Sequence, residues 1–557
     1  MPFSTKIVLL SALLATFAVH DAYADKTTVC TITVNSADEK EMFRRSLPAD
    51  RYQFIELVER GRPDWLASAC HQGIHCDVLL ISGHFDGGDE FYSDRLDARE
   101  SLPVDELERV SCSDSCPGLF SQLKEVYLFG CNTLNPEALT SASGEIVRSL
   151  LRSGHSAADA ARLSRALSDR HADSNRDRMR QIFKDVPVIY GFSSKAPLGP
   201  RAASILERYF QSGASVEIGS GRPSARLLAL LAPSSMTVAS GSSDFDEQAS
   251  YRRDMCQFAD DRLSPAQKLA FVHQLLGRDM AEVRMFLDRI EKYSASLTDA
   301  DRQTLSVSKA LDEIARDRAA RERYLAFARD ADQPGVRARM IELASHFGWL
   351  TPPEKQAELV RMIQDQVDQT EVGAADVELV CTLNRDHGLD STRALVALPT
   401  GRGDDIGRAA ILACLGSASA HAQVIAALTS PSDRDIQIAQ VYLRHHPIVD
   451  VDELRGVALR IARMSDANAQ IRALDTIAEH RVSDRESLES LTRLFPVAKT
   501  VNVQRAIAGI LIRSDYQAIA RPELVRALRE KRLKSPDGQD LIDVLIRRMQ
   551  ASLGGVA

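Results

Sequence analysis

Aromatic side chains are scarce in this sequence. They make up 6% of its 557 residues, and tryptophan occurs only twice. That scarcity, beside abundant Ala, Leu and Arg, points to stacked helices rather than a β-sandwich over much of the chain. Positive charge is also short, because 77 acidic side chains outnumber 69 basic ones for a formal charge of −8. A nucleic-acid binder needs a basic face, so no nucleic-acid partner is expected. Beyond the first 24 residues no stretch approaches the 18 or so consecutive apolar residues of a membrane span, which argues against stable membrane insertion.

The N-terminus carries an export pattern instead. Lys6 precedes a short, largely apolar run, Ile7 to Val19, and Ala22-Tyr23-Ala24 supplies the small-x-small signal for cleavage after Ala24. Residues 1–24 therefore read as a signal peptide, with a periplasmic or secreted destination. In such a compartment cysteines pair. There are nine, an odd number, so at least one thiol stays free or pairs outside the chain.

From residue 25 to 232 strand-like and helix-like patterns alternate. Val29–Val34, Tyr52–Val58, Cys76–Ser82, Glu125–Gly130 and Val186–Phe192 are apolar or β-branched runs separated by helical stretches. That alternation predicts an α/β domain with a mostly parallel sheet. Asn135-Pro136 reads as a helix start. The arginines between Arg162 and Arg180 alternate with acids and read as a solvated helix face. Residues 233–250, rich in Ser and without periodicity, read as a linker. From 251 to 557 the pattern is helical throughout. The segments Ile406–Ile411, Ile436–Val441, Ala469–Leu474 and Val503–Ala508 resemble one another, at spacings of 30, 33 and 34 residues. Such a period is that of a helix pair that buries its apolar side only by stacking on its neighbours. The all-α region resembles HEAT-type solenoid repeats, which implies a surface for a protein partner.

Two strand ends carry chemistry. His84 follows Leu79-Leu80-Ile81-Ser82-Gly83, and Cys131 follows Val126-Tyr127-Leu128-Phe129-Gly130. In an open parallel sheet reactive groups collect beyond the carboxyl ends of strands. Neighbouring strands lie only ~4.8 Å apart, so groups at adjacent tips can meet. Cysteine attacks as its thiolate, and an imidazole beside it takes the proton.

The order strand–helix–strand–helix–strand-His, then strand-Cys, resembles the caspase-like (caspase-hemoglobinase) fold over about residues 26–212. In caspases the histidine lies about 50 residues before the cysteine, a spacing that His84 and Cys131 match. The Gly130-Cys131-Asn132-Thr133 tip looks most like the separase and CHAT branches. The resemblance implies a three-layer α/β domain and a cysteine endopeptidase acting on a protein or peptide, without cofactor or metal. Cys131 would be nucleophile and His84 general base, with Gly83, Gly87 and Gly130 supporting the oxyanion. Two departures stand out. Phe85-Asp86 separate His84 from Gly87-Gly88, where the family has Gly directly after His. Phe129 stands where the Arg-specific metacaspase branch has Asp, so that branch's basic preference is not implied. A catalytically inactive fold serving as an interaction scaffold is the competing expectation.

Asp86 and Asp89 lie in an acidic loop that could face a basic substrate side chain. Cys70-His71-Gln72-Gly73-Ile74-His75-Cys76 crowds four potential metal ligands together. Gly73, however, breaks the helix that would align the two histidines, and disulfides among Cys70, Cys76, Cys112 and Cys116 are expected instead. Their connectivity stays open.

Overall fold

The computed structural model describes residues 26–554, apart from 58–65, 86–87, 95–99, 114–115, 117, 138–142, 172–173, 332, 369–370, 387–388, 390–404, 481, 483, 535 and 537–539. The expected signal peptide, residues 1–24, lies outside the described residues. Two compact units divide between Val307 and Ser308.

The first unit is built on a six-stranded sheet. Its strands are β1 (Thr27–Thr33), β2 (Tyr52–Glu56), β3 (Val78–Ser82), β6 (Glu125–Phe129), β7 (Val188–Phe192) and β8 (Met236–Ala239), while β4 (Glu90–Tyr92) and β5 (Ser101–Pro103) form a separate hairpin. The sheet order is β2-β1-β3-β6-β7-β8, parallel except for antiparallel β8. Alternate residues of the central strands enter two different cores, as a sheet covered on both faces requires. Leu79, Ile81, Val126, Leu128 and Ile189 pack with α2 (Ala67–His71), α3 (Val104–Cys112) and α6 (Asn175–Ile182), reached after α4 (Ser143–Arg152) and α5 (Ala157–His171). Val78, Leu80, Tyr127, Val188 and Tyr190 pack on the opposite face, against α1 (Asp38–Ser46), α7 (Gly199–Gln211) and α8 (Ala225–Leu231).

Residues 233–250 are not a linker. Met236–Ala239 is the edge strand β8, paired so that Gly191 faces Thr237. The chain beyond it stays attached, because Asp185 N donates to Ser242 O at 2.9 Å and Ser242 N to Arg180 O at 2.8 Å. Gly241 makes this possible, since a Cβ there would fall 1.9 Å from Phe183 O. Among the described residues the chain is helical from Ala249 on, but the second compact unit begins at Ser308 and not at 251. The helix Ala249–Ala259 is tied to α3 by the Cys112–Cys256 disulfide. The helices up to Asp299–Gln303 also belong to the first unit.

One buried charge cluster joins three of these helices. Glu108 of α3 accepts from Arg178 of α6 at 2.8 Å and from Arg289 of the helix Leu287–Ser296 at 2.7 Å. Burial opposes ionisation of this carboxyl, yet the Arg289 and Arg178 guanidiniums outweigh it and hold the group down at about 2. The arginine-rich stretch is thus not simply a solvated face.

The second unit is helical throughout its described residues. The repeated segments lie in the helices Ile406–Cys414, Asp433–His445, Ala467–Ala478 and Val501–Arg513. A polar N-cap precedes each: Asp405, Ser432, Asp466 and Thr500 each accept from a backbone N–H of the first turn. A buried glutamine recurs at matching places. Gln470 Nε2 donates to Ile461 O and Gln504 Nε2 to Phe495 O, each nine residues back.

Eight cysteines pair, as Cys30–Cys76, Cys70–Cys116, Cys112–Cys256 and Cys381–Cys414. Of the four cysteines expected to bond among themselves, only Cys70 and Cys116 do so. Cys76 and Cys112 take partners from elsewhere. Among the described residues no helix is long and apolar enough to cross a membrane.

Candidate active site

β3 and β6 run side by side, with Ser82 opposite Phe129. The next residues, Gly83 and Gly130, close the strands tightly. Gly83 N donates to Phe129 O at 3.1 Å. A Cβ on Gly130 would lie 2.8 Å from Phe85 Cβ and 2.9 Å from Gly83 O. Glycine at 130 is therefore a requirement of packing at this tip.

The following residues, His84 and Cys131, line one pocket together with Gly83 and Gly130. His84 is held from its backbone by the β4–β5 hairpin. Its N–H donates to Tyr92 O and its carbonyl accepts from Tyr92 N, both at 2.9 Å. Its ring packs on Tyr92 with centroids 5.4 Å apart. Asp94 Oδ2 lies 3.3 Å from Nε2, near enough to attract a protonated ring, although the approach leaves Nε2 without a hydrogen bond. Phe85, immediately after His84, is fully buried against Phe91.

Cys131 is the one free cysteine of the chain. Its sulfur accepts from Ala196 N at 3.3 Å. The turn after it is sharp: Asn132 has φ 60°, a left-handed backbone that costs a non-glycine residue roughly 1–2 kcal/mol. Hydrogen bonds over-determine it. Asn132 N donates to Ser194 O at 2.6 Å, Asn175 Nδ2 to Asn132 O at 3.0 Å, and Phe192 N to Thr133 Oγ1 at 3.1 Å. Asn135-Pro136 continues this turn and is not helical; among the described residues the next helix is α4.

Other sequence candidates lie elsewhere. Asp86 and Gly87 fall outside the described residues. Asp89 does not line the pocket; it is exposed and pairs with Arg178 at 3.4 Å. Among the described residues, the acid of that loop in ion-pair distance of His84 is Asp94. Gly73 does end α2 in a left-handed turn, and both cysteines of the His-rich segment are in disulfides.

Sequence reasoning passed over the acid of the pocket. Glu39, on the first turn of α1, is 3% exposed and lines the same pocket as His84 and Cys131. Burial pushes its carboxyl up to about 7, against the pull of its own backbone N–H and of the Ser82 and Ser36 hydroxyls, with Asp38 pushing the same way as burial. Its Oε2 has no hydrogen-bond partner. The available signal was position: Asn35-Ser36-Ala37-Asp38-Glu39 follows the carboxyl end of β1, the side of a parallel sheet where ligands bind. The opposite wall comes from Ala196–Gly199 at the start of α7, where a Cβ on Gly199 would fall 2.1 Å from Ser36 Oγ.

No protein-family model, curated protein or solved structure matches this chain.

Proposed function

We propose that this protein is an exported cysteine endopeptidase of the caspase-like type, with Cys131 as nucleophile and His84 as general base. The observation that carries the reading is that the chain's one unpaired cysteine shares a pocket with a histidine at the adjacent strand tip. The order of strands and helices up to β7 follows the series on which the resemblance rests. In the reaction the Cys131 sulfur bonds to the scissile carbonyl carbon. His84 takes the thiol proton and returns it to the leaving amine, and water then hydrolyses the thioester with His84 again accepting a proton. The Ala196 N–H, which donates to the Cys131 sulfur at 3.3 Å, holds that sulfur in place in the pocket. The second unit, with its recurring caps and glutamines, is a HEAT-like solenoid that engages substrate or a partner protein. Four disulfides are compatible with a periplasmic or secreted location.

A non-catalytic platform is the second reading. The buried Phe85 ring favours it, since it fills the space beside His84 where the resembled family keeps glycine.

The test is labelling of the unreduced protein with a thiol-acylating probe. One cysteine per chain, identified as Cys131 by mass spectrometry, should react quickly well below pH 8, and Cys131→Ala should abolish labelling. Reaction only at the rate of an ordinary thiol, or labelling that survives Cys131→Ala, overturns the peptidase reading.

A further inference from the structure

The second unit holds a cluster that the peptidase chemistry does not use. Cys381 lies in the helix Ala374–Leu383, Cys414 ends the helix Ile406–Cys414, and His446 directly follows the helix Asp433–His445. These three helices pack on one another, and they bring two sulfurs and one imidazole nitrogen within 4.8 Å of each other. Donors on a single ion, at ~2.3 Å for sulfur and ~2.0 Å for nitrogen, lie at most ~4.6 Å apart, so the set is close to the size that one ion requires. The histidine is fixed in place. Its ring stacks on Tyr442 with centroids 4.8 Å apart, and its backbone N–H donates to Tyr442 O at 3.0 Å. The Tyr442 hydroxyl donates to His421 Nδ1 at 2.7 Å, and His421 Nε2 donates to Glu453 Oε1 at 3.1 Å. Asn384 Nδ2 donates to Cys414 O at 2.9 Å and so steadies the helix end that carries the second sulfur. Supporting partners of this kind orient the ligands of a metal site, whereas a purely structural disulfide asks for no imidazole beside it.

We propose that Cys381, Cys414 and His446 form a binding site for Cu(I), and that the Cys381–Cys414 disulfide is the oxidised, closed form of that site. Opening it takes two electrons and two protons. A dithiol reductant supplies both and becomes a disulfide itself, leaving two thiols on the chain. The ion then displaces the two thiol protons and is held by two thiolates and one imidazole. Two features favour Cu(I) over zinc. Thiolates are soft ligands, which suit Cu(I). A structural zinc site closes with four protein ligands and a catalytic one keeps a water as its fourth. Here the described residues supply three ligands, and both cysteines are 2% exposed, which shuts water from the sulfurs. In an oxidising compartment the pair rests as the disulfide, so the site opens only where a dithiol reductant acts on it. The inference stands apart from the peptidase reading, and neither needs the other.

The experiment uses the full-length protein, reduced with dithiothreitol without oxygen and then freed of the reductant. Cu(I) is added as its acetonitrile complex, and its affinity is measured by competition with bathocuproine disulfonate. Alkylation of each cysteine by iodoacetamide, with and without the metal, is followed by mass spectrometry. One equivalent of Cu(I) should protect Cys381 and Cys414 before any other cysteine, and copper X-ray absorption should show two sulfurs and one nitrogen on the metal. His446→Ala should weaken binding roughly tenfold or more, since loss of a mere supporting partner already costs that much. Protection of other cysteines first, an all-sulfur copper shell, or unchanged affinity in His446→Ala overturns the assignment. So does a Cys381–Cys414 bond that opens only when the second unit unfolds. Zinc taken up at these cysteines in the presence of equimolar Cu(I) overturns the choice of metal. Protection and the copper spectrum are read on the unaltered protein, so a variant that fails to fold does not remove the test. None of these results bears on the labelling of Cys131 in the unreduced protein, which tests the peptidase reading.

Discussion

Glu39 illustrates how one buried side chain can be a liability to the fold. Its carboxyl is held up at about 7 by burial, above the 4.5 of an unstrained glutamate. An acid whose folded value is raised takes up protons on folding. Its contribution is therefore favourable below about pH 4.5 and is lost as pH rises through 7. That shift corresponds to a penalty on the order of 3 kcal/mol at pH 8. Glu39→Gln should raise the melting temperature of the first unit at pH 8 and leave it nearly unchanged at pH 4.5; equal effects at both values, followed by calorimetry, would contradict this. Cys131 shows the opposite balance at the same scale. The strained Asn132 beside it persists because three hydrogen bonds to β7, α6 and the chain after β7 hold the turn. Cys131, His84 and their glycines were legible in the sequence, because apolar runs ending in Gly-His and Gly-Cys announce strand tips. Glu39 was not, because its neighbours Asp38 and Glu41 make it look like one more acid on a helix's first turn, where acids are common.

At the scale of elements, the strands of the parallel sheet were placed to within a residue or two, since continuous apolar runs mark strands covered on both faces. β8 was hidden. Met236–Ala239 is four residues long, half-buried, and surrounded by serines, so its alternation is too short to read. What holds it is contact with a distant segment. Gly241→Ala should show this, because the added Cβ meets Phe183 O. We expect a loss of about 1–3 kcal/mol in denaturant unfolding, and faster amide exchange across β7–β8 before β1–β3. A neutral outcome would mean that the edge is not held through Gly241. The β4–β5 hairpin was missed for a similar reason: each strand has three residues and is bounded by acidic or polar loops. It nonetheless fixes the backbone of His84.

For the whole molecule, the division at Val307 and Ser308 places three disulfides in the first unit and one, Cys381–Cys414, in the second. Cross-linking residues 33 apart in sequence removes unfolded-state entropy worth about 3–4 kcal/mol. Replacing both cysteines with serine should lower the unfolding free energy of the second unit by about 3–4 kcal/mol, read from its denaturant unfolding. The first unit's transition and the rate of Cys131 labelling should stay as they were. A change in that labelling rate would show that the units do not behave independently. Local pattern in the sequence alone determined the class of each region, the strand ends that bear His84 and Cys131, and that at least one thiol has no partner within the chain, because periodicity and parity survive without coordinates. Only the tertiary structure decided which thiol that is, where the first unit ends, and that Glu39 shares the pocket. Each of these depends on groups far apart in sequence being brought within a few ångströms, and nothing in local composition encodes that distance.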